Sequence, residues 1–179
     1  MTRSVLFVCL GNICRSPLAE GALRAEAMRL GLDLIVDSAG TGDWHAGEPP
    51  DERAIAVAHR NGVDISALRA RQVRSADFRR FTHIIALDHD NMSNLRKLAP
   101  TDATAELSLL LDHVEGREGQ SVADPWFGDE AGFEITWAEV TQAAASLGHR
   151  LRRDGLYSCS ASTTPPARPP DTTSPPAIA

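Results

Sequence analysis

Short unbroken apolar runs alternate along this chain with longer stretches of mixed character. Val5-Leu-Phe-Val8 is the first run, and a run without polar alternation predicts a strand buried on both faces. Ser16-Pro17 predicts a helix start, with Ser16 as N-cap and Pro17 at the first helical position. Leu18, Ala22, Leu23 and Met28 give that helix an apolar stripe, and Gly31 ends it. Leu34-Ile-Val36 predicts a second strand, followed by a Gly-rich loop and a helix from about Pro50 to Asn61, stopped by Gly62. Ile84-Ile-Ala-Leu87 predicts a third strand, His89–Leu98 a polar helix leading to Pro100, and Leu107–Leu111 a fourth strand. An Ala-rich stretch from about Glu130 to Arg153 predicts the last helix. Strands alternating with helices predict an α/β fold, a parallel sheet covered on both sides.

The pattern stops near Ser158. Six of the 11 prolines fall in Pro165–Pro176, among Ser, Thr and Ala. Such a segment cannot bury enough apolar surface to offset its ordering entropy. The expected organisation is one domain over residues 1–157 and a disordered Pro/Ser/Thr-rich tail over 158–179. Pro166-Ala-Arg-Pro169 matches a PxxP ligand pattern, but the tail is assigned no function. The 179 residues are enough for one domain with a real core.

Net charge changes the picture by exclusion. At −6 the chain lacks the positive face that a nucleic-acid backbone requires. Three cysteines (Cys9, Cys14, Cys159) are too few for a disulfide framework, and no Cys/His spacing suits zinc. Val5–Leu10 is too short for a signal peptide or a membrane span. The expectation is a cytoplasmic monomer with no membrane or nucleic-acid partner.

The loop from Cys9 to Ser16, Cys-Leu-Gly-Asn-Ile-Cys-Arg-Ser, joins the first strand to the first helix. Ligands of open parallel sheets bind beyond the carboxyl ends of the strands, where this loop sits. Its backbone N–H groups can curl around an anion, Gly11 permits a tight path, and the helix N-terminus adds a positive dipole end. A cysteine facing that nest is favoured as the thiolate, the nucleophilic form. Arg15 adds a planar fork that matches two phosphoryl oxygens. Ser16 can donate its hydroxyl to the sulfur and so help it leave. The loop lacks G-x-x-x-x-G-K-[ST], which excludes a nucleotide P-loop. Backbone of Leu10, Gly11, Asn12, Ile13, Cys14, Arg15 and Ser16 is therefore the expected phosphate cradle, with Cys9 as nucleophile.

Residues Val5–Glu20 resemble, nearly letter for letter, the signature of low-molecular-weight protein tyrosine phosphatases. Asp37-Ser-Ala-Gly-Thr-Gly-Asp-Trp-His45, Pro49-Pro-Asp-Glu-Arg-Ala54, Arg69-Ala-Arg-Gln72 and Asp124-Pro125 extend the resemblance, which runs to about Arg153. It implies a flavodoxin-like three-layer fold with a four-stranded parallel sheet, phosphocysteine chemistry, and no metal or organic cofactor. It implies Cys9 as nucleophile, Arg15 as phosphate-binding arginine and Asp124 as general acid. Ser38 and Asn12 match positions that hold the phosphate loop in shape, and Asn12 is a residue that tolerates positive φ. Where the family usually has two tyrosines after Asp-Pro, this chain has Trp126-Phe127.

The implied substrates are phosphotyrosine proteins and small aryl phosphates. An aryl phosphate needs a deep slot, and Ile13, Trp44, Trp126 and Phe127 are the candidate walls. A phosphoarginine phosphatase is the nearest rival, disfavoured because that branch carries threonine where Ile13 stands. Arsenate reductases of similar fold need further cysteines, and only Cys159 is available. A catalytically silent phosphotyrosine-binding module would lack one of Cys9, Arg15 or Asp124, yet all three are present. Cys14 is a candidate redox partner of Cys9.

Overall fold

The computed structural model describes residues 2–160. Four parallel strands, β1 (Arg3–Cys9), β2 (Leu34–Gly40), β3 (His83–Ala86) and β4 (Glu106–Leu109), lie in the order β2-β1-β3-β4. The helices are α1 (Arg15–Leu30), α2 (Glu52–Arg60), α3 (Asp77–Arg80), α4 (His89–Leu98) and α5 (Glu130–Ser160). β1 explains the layering. Val5, Phe7 and Cys9 point into one core with α1, α2 and α5, while Leu6 and Val8 point into a second core with α3 and α4. Alternate residues of a strand face opposite sides, so an unbroken apolar run serves both cores. Full burial of side chains such as Phe7, Leu18, Phe78 and Leu95 contributes roughly 1.5–3 kcal/mol each.

Several boundaries differ from the sequence expectation, each for a local reason. β2 continues through Asp37-Ser-Ala-Gly40, where the sequence suggests a Gly-rich loop, because Ser38 is buried on the α1 side, bonded to Glu20, and Ala39 is buried in the second core on the other face. Gly40 is needed there: a Cβ on it would stand 2.7 Å from the Leu10 carbonyl oxygen. α1 begins at Arg15 with Cys14 at its N-cap, so Ser16 lies inside the first turn and does not cap it. Met28 is 85% exposed and does not belong to the apolar stripe of Leu18, Ala22 and Leu23. α2 starts two residues late because the Asp51 carboxylate caps it, accepting from the Arg53 N–H at 2.8 Å. β3 has the expected length but starts and ends one residue early, β4 is one residue shorter than expected, and the chain leaves β4 through a 3-10 turn, Leu110–His113. The four-residue α3 carries too little periodicity to be read from sequence. α5 runs past Arg153 to Ser160, beyond the expected domain boundary. The rest of the tail lies outside the described residues.

The order β2-β1-β3-β4 places a topological switch between β1 and β3, because the connections after these strands leave in opposite directions. The crevice at such a point collects the loops that follow β1, β2, β3 and β4.

Candidate active site

The loop after β1 forms the floor of a cavity of about 160 Å³. Cys9, Leu10, Gly11, Ile13, Cys14, Arg15, Trp44, His45, Asp124, Trp126 and Phe127 line it. The structure thus brings together every wall and cradle residue singled out from sequence except Asn12 and Ser16, whose side chains lie behind the loop. A larger groove of about 720 Å³ at the opposite end of the sheet contains no cysteine, and its polar lining includes Arg3, Asp33 and His83.

Asn12 and Ser16 frame the nucleophile. Asn12 adopts a left-handed conformation (φ 57°), and its N–H donates to Cys9 Sγ at 3.3 Å. Gly11 is not at positive φ, so its need is space. A Cβ there would stand 3.1 Å from the His45 ring. The Asn12 amide is spent on three partners: Nδ2 donates to Ser16 Oγ and Ser38 Oγ, both at 2.9 Å, and Oδ1 accepts from the Arg71 N–H. Those bonds fix its orientation. With one Ser16 lone pair filled by Asn12, the Ser16 hydroxyl hydrogen has two acceptors in reach, Cys9 Sγ at 3.0 Å and the Ala39 carbonyl at 3.4 Å, and the sulfur is the nearer. Ser38 hands its own proton toward Glu20 Oε2 at 2.5 Å. Glu20 is itself buried beside Arg24; burial pushes its carboxyl above the usual range, although Ser38 and Arg24 oppose the shift.

Arg15 is 3% exposed, and its fork faces two carboxylates from distant segments. Nη1 meets Asp88 at 2.6 Å and the Val122 carbonyl at 3.0 Å; Nη2 meets Asp124 at 3.2 Å. Burial works against its charge, but Cys9, Asp88 and Asp124 together more than offset it and hold the guanidinium protonated. Cys14 is the opposite case. Burial first, then the nearby Asp51, Cys9 and Asp124, push its thiol far up, so it stays neutral.

Asp124 stands across the mouth from Cys9, with Oδ1 accepting from the Trp126 N–H at 3.1 Å. The walls are uneven in exposure: Ile13 is buried, Trp126 is 39% exposed, Trp44 69% and Phe127 94%. His45 tilts against Trp126 with ring centroids 5.8 Å apart. Asp88, His45, Glu20 and Arg53 belong to this site although sequence reasoning did not single them out. Asp88 directly follows the apolar run of β3, and that position, at the strand end beside the switch, was the available signal. Among the described residues no cluster of His, Cys, Asp and Glu could hold a metal ion.

The class so defined is a flavodoxin-like domain with a cysteine and an arginine in one anion-sized loop. A family model described as low molecular weight phosphotyrosine protein phosphatase matches residues 4–156. The low molecular weight protein-tyrosine-phosphatase YfkJ of Bacillus subtilis is 44% identical over 126 residues, covering 69% of this chain and 81% of that protein. A protein tyrosine phosphatase from Entamoeba histolytica, solved with Hepes in its active site, superposes with a TM-score of 0.81 at 33% identity, covering 87% of this chain and all of that one. A Drosophila arginine phosphatase superposes at 0.78 with 29% identity, covering 83% and 99%. The chain belongs to the low molecular weight phosphotyrosine protein phosphatase family. It is a cysteine-dependent protein tyrosine phosphatase.

Proposed function

We propose that the chain hydrolyses phosphotyrosine in proteins, and small aryl phosphates, through a phosphocysteine on Cys9. One observation carries the reading: Cys9 Sγ lies at the base of the cavity lined by Arg15 and Asp124, with the aromatic walls at its mouth. In the first step the thiolate attacks phosphorus, an S–P bond forms and the P–O bond to the phenol breaks. The loop N–H groups and Arg15 hold the phosphoryl oxygens, a preorganised site for developing charge. Asp124, protonated, gives its proton to the departing phenolate. In the second step the Asp124 carboxylate takes a proton from water, the water oxygen attacks phosphorus, and the S–P bond breaks. Ser16 and the Asn12 N–H, both in contact with Cys9 Sγ, stabilise the sulfur as it leaves.

Tyrosine is favoured over arginine by the apolar Ile13 wall and the aromatic rim. The likeness to an arginine phosphatase makes the comparison worth measuring. Among the described residues no helix is long and apolar enough to cross a membrane, which fits the proposal of a cytoplasmic enzyme. The domain is proposed to act as a monomer, with residues 158–179 dispensable. Acid quenching during turnover of p-nitrophenyl phosphate should leave the phosphoryl group on the Cys9 peptide. Turnover without that adduct would remove the covalent route, and faster hydrolysis of phosphoarginine than of phosphotyrosine would reverse the substrate assignment.

A further inference from the structure

The Pro49–Ala54 segment carries an arginine that the chemistry above does not use. Arg53 is bidentate on Asp51, with Nε on Oδ1 and Nη2 on Oδ2, both at 3.0 Å. Asp51 in turn donates its N–H to the Ile13 carbonyl of the phosphate loop at 2.8 Å. Burial alone would raise the Asp51 carboxyl, yet the Arg53 bonds outweigh it and hold the group below its ordinary value. The same guanidinium reaches across the cavity mouth. Nη1 donates to the Gly128 carbonyl at 3.0 Å and Nη2 to the Trp126 carbonyl at 3.3 Å. Its flat face lies 4.5 Å from the Phe133 ring centroid and 5.9 Å from that of Trp126, a geometry for cation–π attraction.

These bonds close a circuit. From Ile13 it passes through Asp51 and Arg53 to Trp126, whose N–H holds Asp124 Oδ1. Asp124 Oδ2 then returns to the phosphate loop through Arg15. Among the described residues, Arg53 is the side chain that donates to carbonyls on both sides of Phe127. We infer that Arg53 is a positioning residue: it sets the loop of residues 124–128, and so the Asp124 carboxyl, at a fixed distance from the phosphate cradle. The inference rests on the acid role proposed for Asp124. A lysine cannot replace the fork, because one ammonium cannot hold a carboxylate through two parallel bonds and also reach two carbonyls.

The test compares Arg53→Met and Arg53→Lys with Asp124→Ala in the full chain, on tyrosyl phosphate and on aryl phosphates of increasingly acidic phenols. Arg53→Met should lose about tenfold in kcat/KM on tyrosyl phosphate and less than about twofold on the most acidic phenol, since misplacing a proton donor costs most where the proton is most needed. Arg53→Lys should fall between, and inhibition by inorganic phosphate should not change. Adding Arg53→Met to Asp124→Ala should cost nothing more on tyrosyl phosphate, because both act through one proton transfer. An equal loss across the series, or additive losses in the double variant, would show a merely structural residue and overturn the inference. If Arg53→Met does not fold, Arg53→Lys carries the same comparison. A graded Asp124→Ala series beside a flat Arg53 series sinks this inference alone. A flat Asp124→Ala series sinks the acid assignment, and this inference with it.

Discussion

The two loops that face each other across the cavity are built in opposite ways. In the cradle, Cys9, Asn12, Ile13, Cys14, Arg15 and Ser16 are all buried, and its polar side chains are spent on protein partners. In the loop opposite, Val122 and Pro125 are buried while Asp124, Trp126, Phe127, Gly128 and Asp129 are exposed. Beyond the backbone bond from Val122 to Leu87, its ties to the body of the protein run mainly through Arg15 and Arg53. The difference follows from the tasks. Holding a phosphoryl group through its transition state needs dipoles that do not reorganise. Delivering a proton to the departing phenolate needs a carboxyl held at the open mouth, where the aromatic ring enters and leaves.

The largest expected effect tests the cradle. Cys9→Ser should abolish turnover while leaving inorganic phosphate bound, because the nucleophile and the anion nest are separable. A rate above a few per cent of wild type would break the covalent reading. Next comes the opposite loop: Asp124→Ala should lose ~10²–10⁴-fold on tyrosyl phosphate and less as the phenol becomes more acidic. Loss independent of the leaving group would move the acid role to Asp43 or Asp129. Asn12→Ala should behave as a cradle change, not an acid-loop change. It leaves partners on Ser16, Ser38 and Arg71 unmatched and places alanine at positive φ. We expect a stability loss of about 2–3 kcal/mol in denaturant unfolding and a rate loss equal for all leaving groups.

The smallest effect concerns Glu20, the buried carboxyl beneath the cradle. Its value is raised in the folded state, so the folded protein keeps a proton that the unfolded chain has released. The stability tied to that proton is complete below the ordinary glutamate value and is lost as pH rises through the folded value. Glu20→Gln can still accept from Ser38 but does not titrate. Relative to wild type, its melting temperature should therefore gain as pH rises above the ordinary glutamate range. A wild-type-minus-variant difference that is flat with pH would show that Glu20 titrates alike in the folded and unfolded states.

The cradle was legible in sequence because its chemistry is contiguous: eight consecutive residues hold the nucleophile, the arginine and the turn. The central strands were legible for a related reason, since burial on both faces leaves an unbroken apolar run. β2 was read short because its last four residues, Asp37 to Gly40, are polar or small, and their burial depends on α1 and on the cradle they brace. Ser16 looked like a helix cap because capping is the usual reason for Ser before Pro. Its hydroxyl is instead used by Cys9 and Asn12. What could not be read were partners far apart in the chain. Asp88 meets Arg15 across 73 positions and Arg53 meets Gly128 across 75. The strand end marks Asp88 as a site position, but nothing local announces which residue it, or Arg53, will meet.

The contact between Arg15 and Asp124 gives the phosphate-binding guanidinium a counter-ion from the protein itself. Any dianion entering the loop must compete with a carboxylate that is tethered 3.2 Å from the same guanidinium. A tethered competitor acts at a high effective concentration. It weakens every occupant of the loop by a similar factor, substrate and product alike. The cost to capture is recovered at the end of the cycle, when inorganic phosphate must leave a nest built to hold it and Asp124 is waiting to take its place.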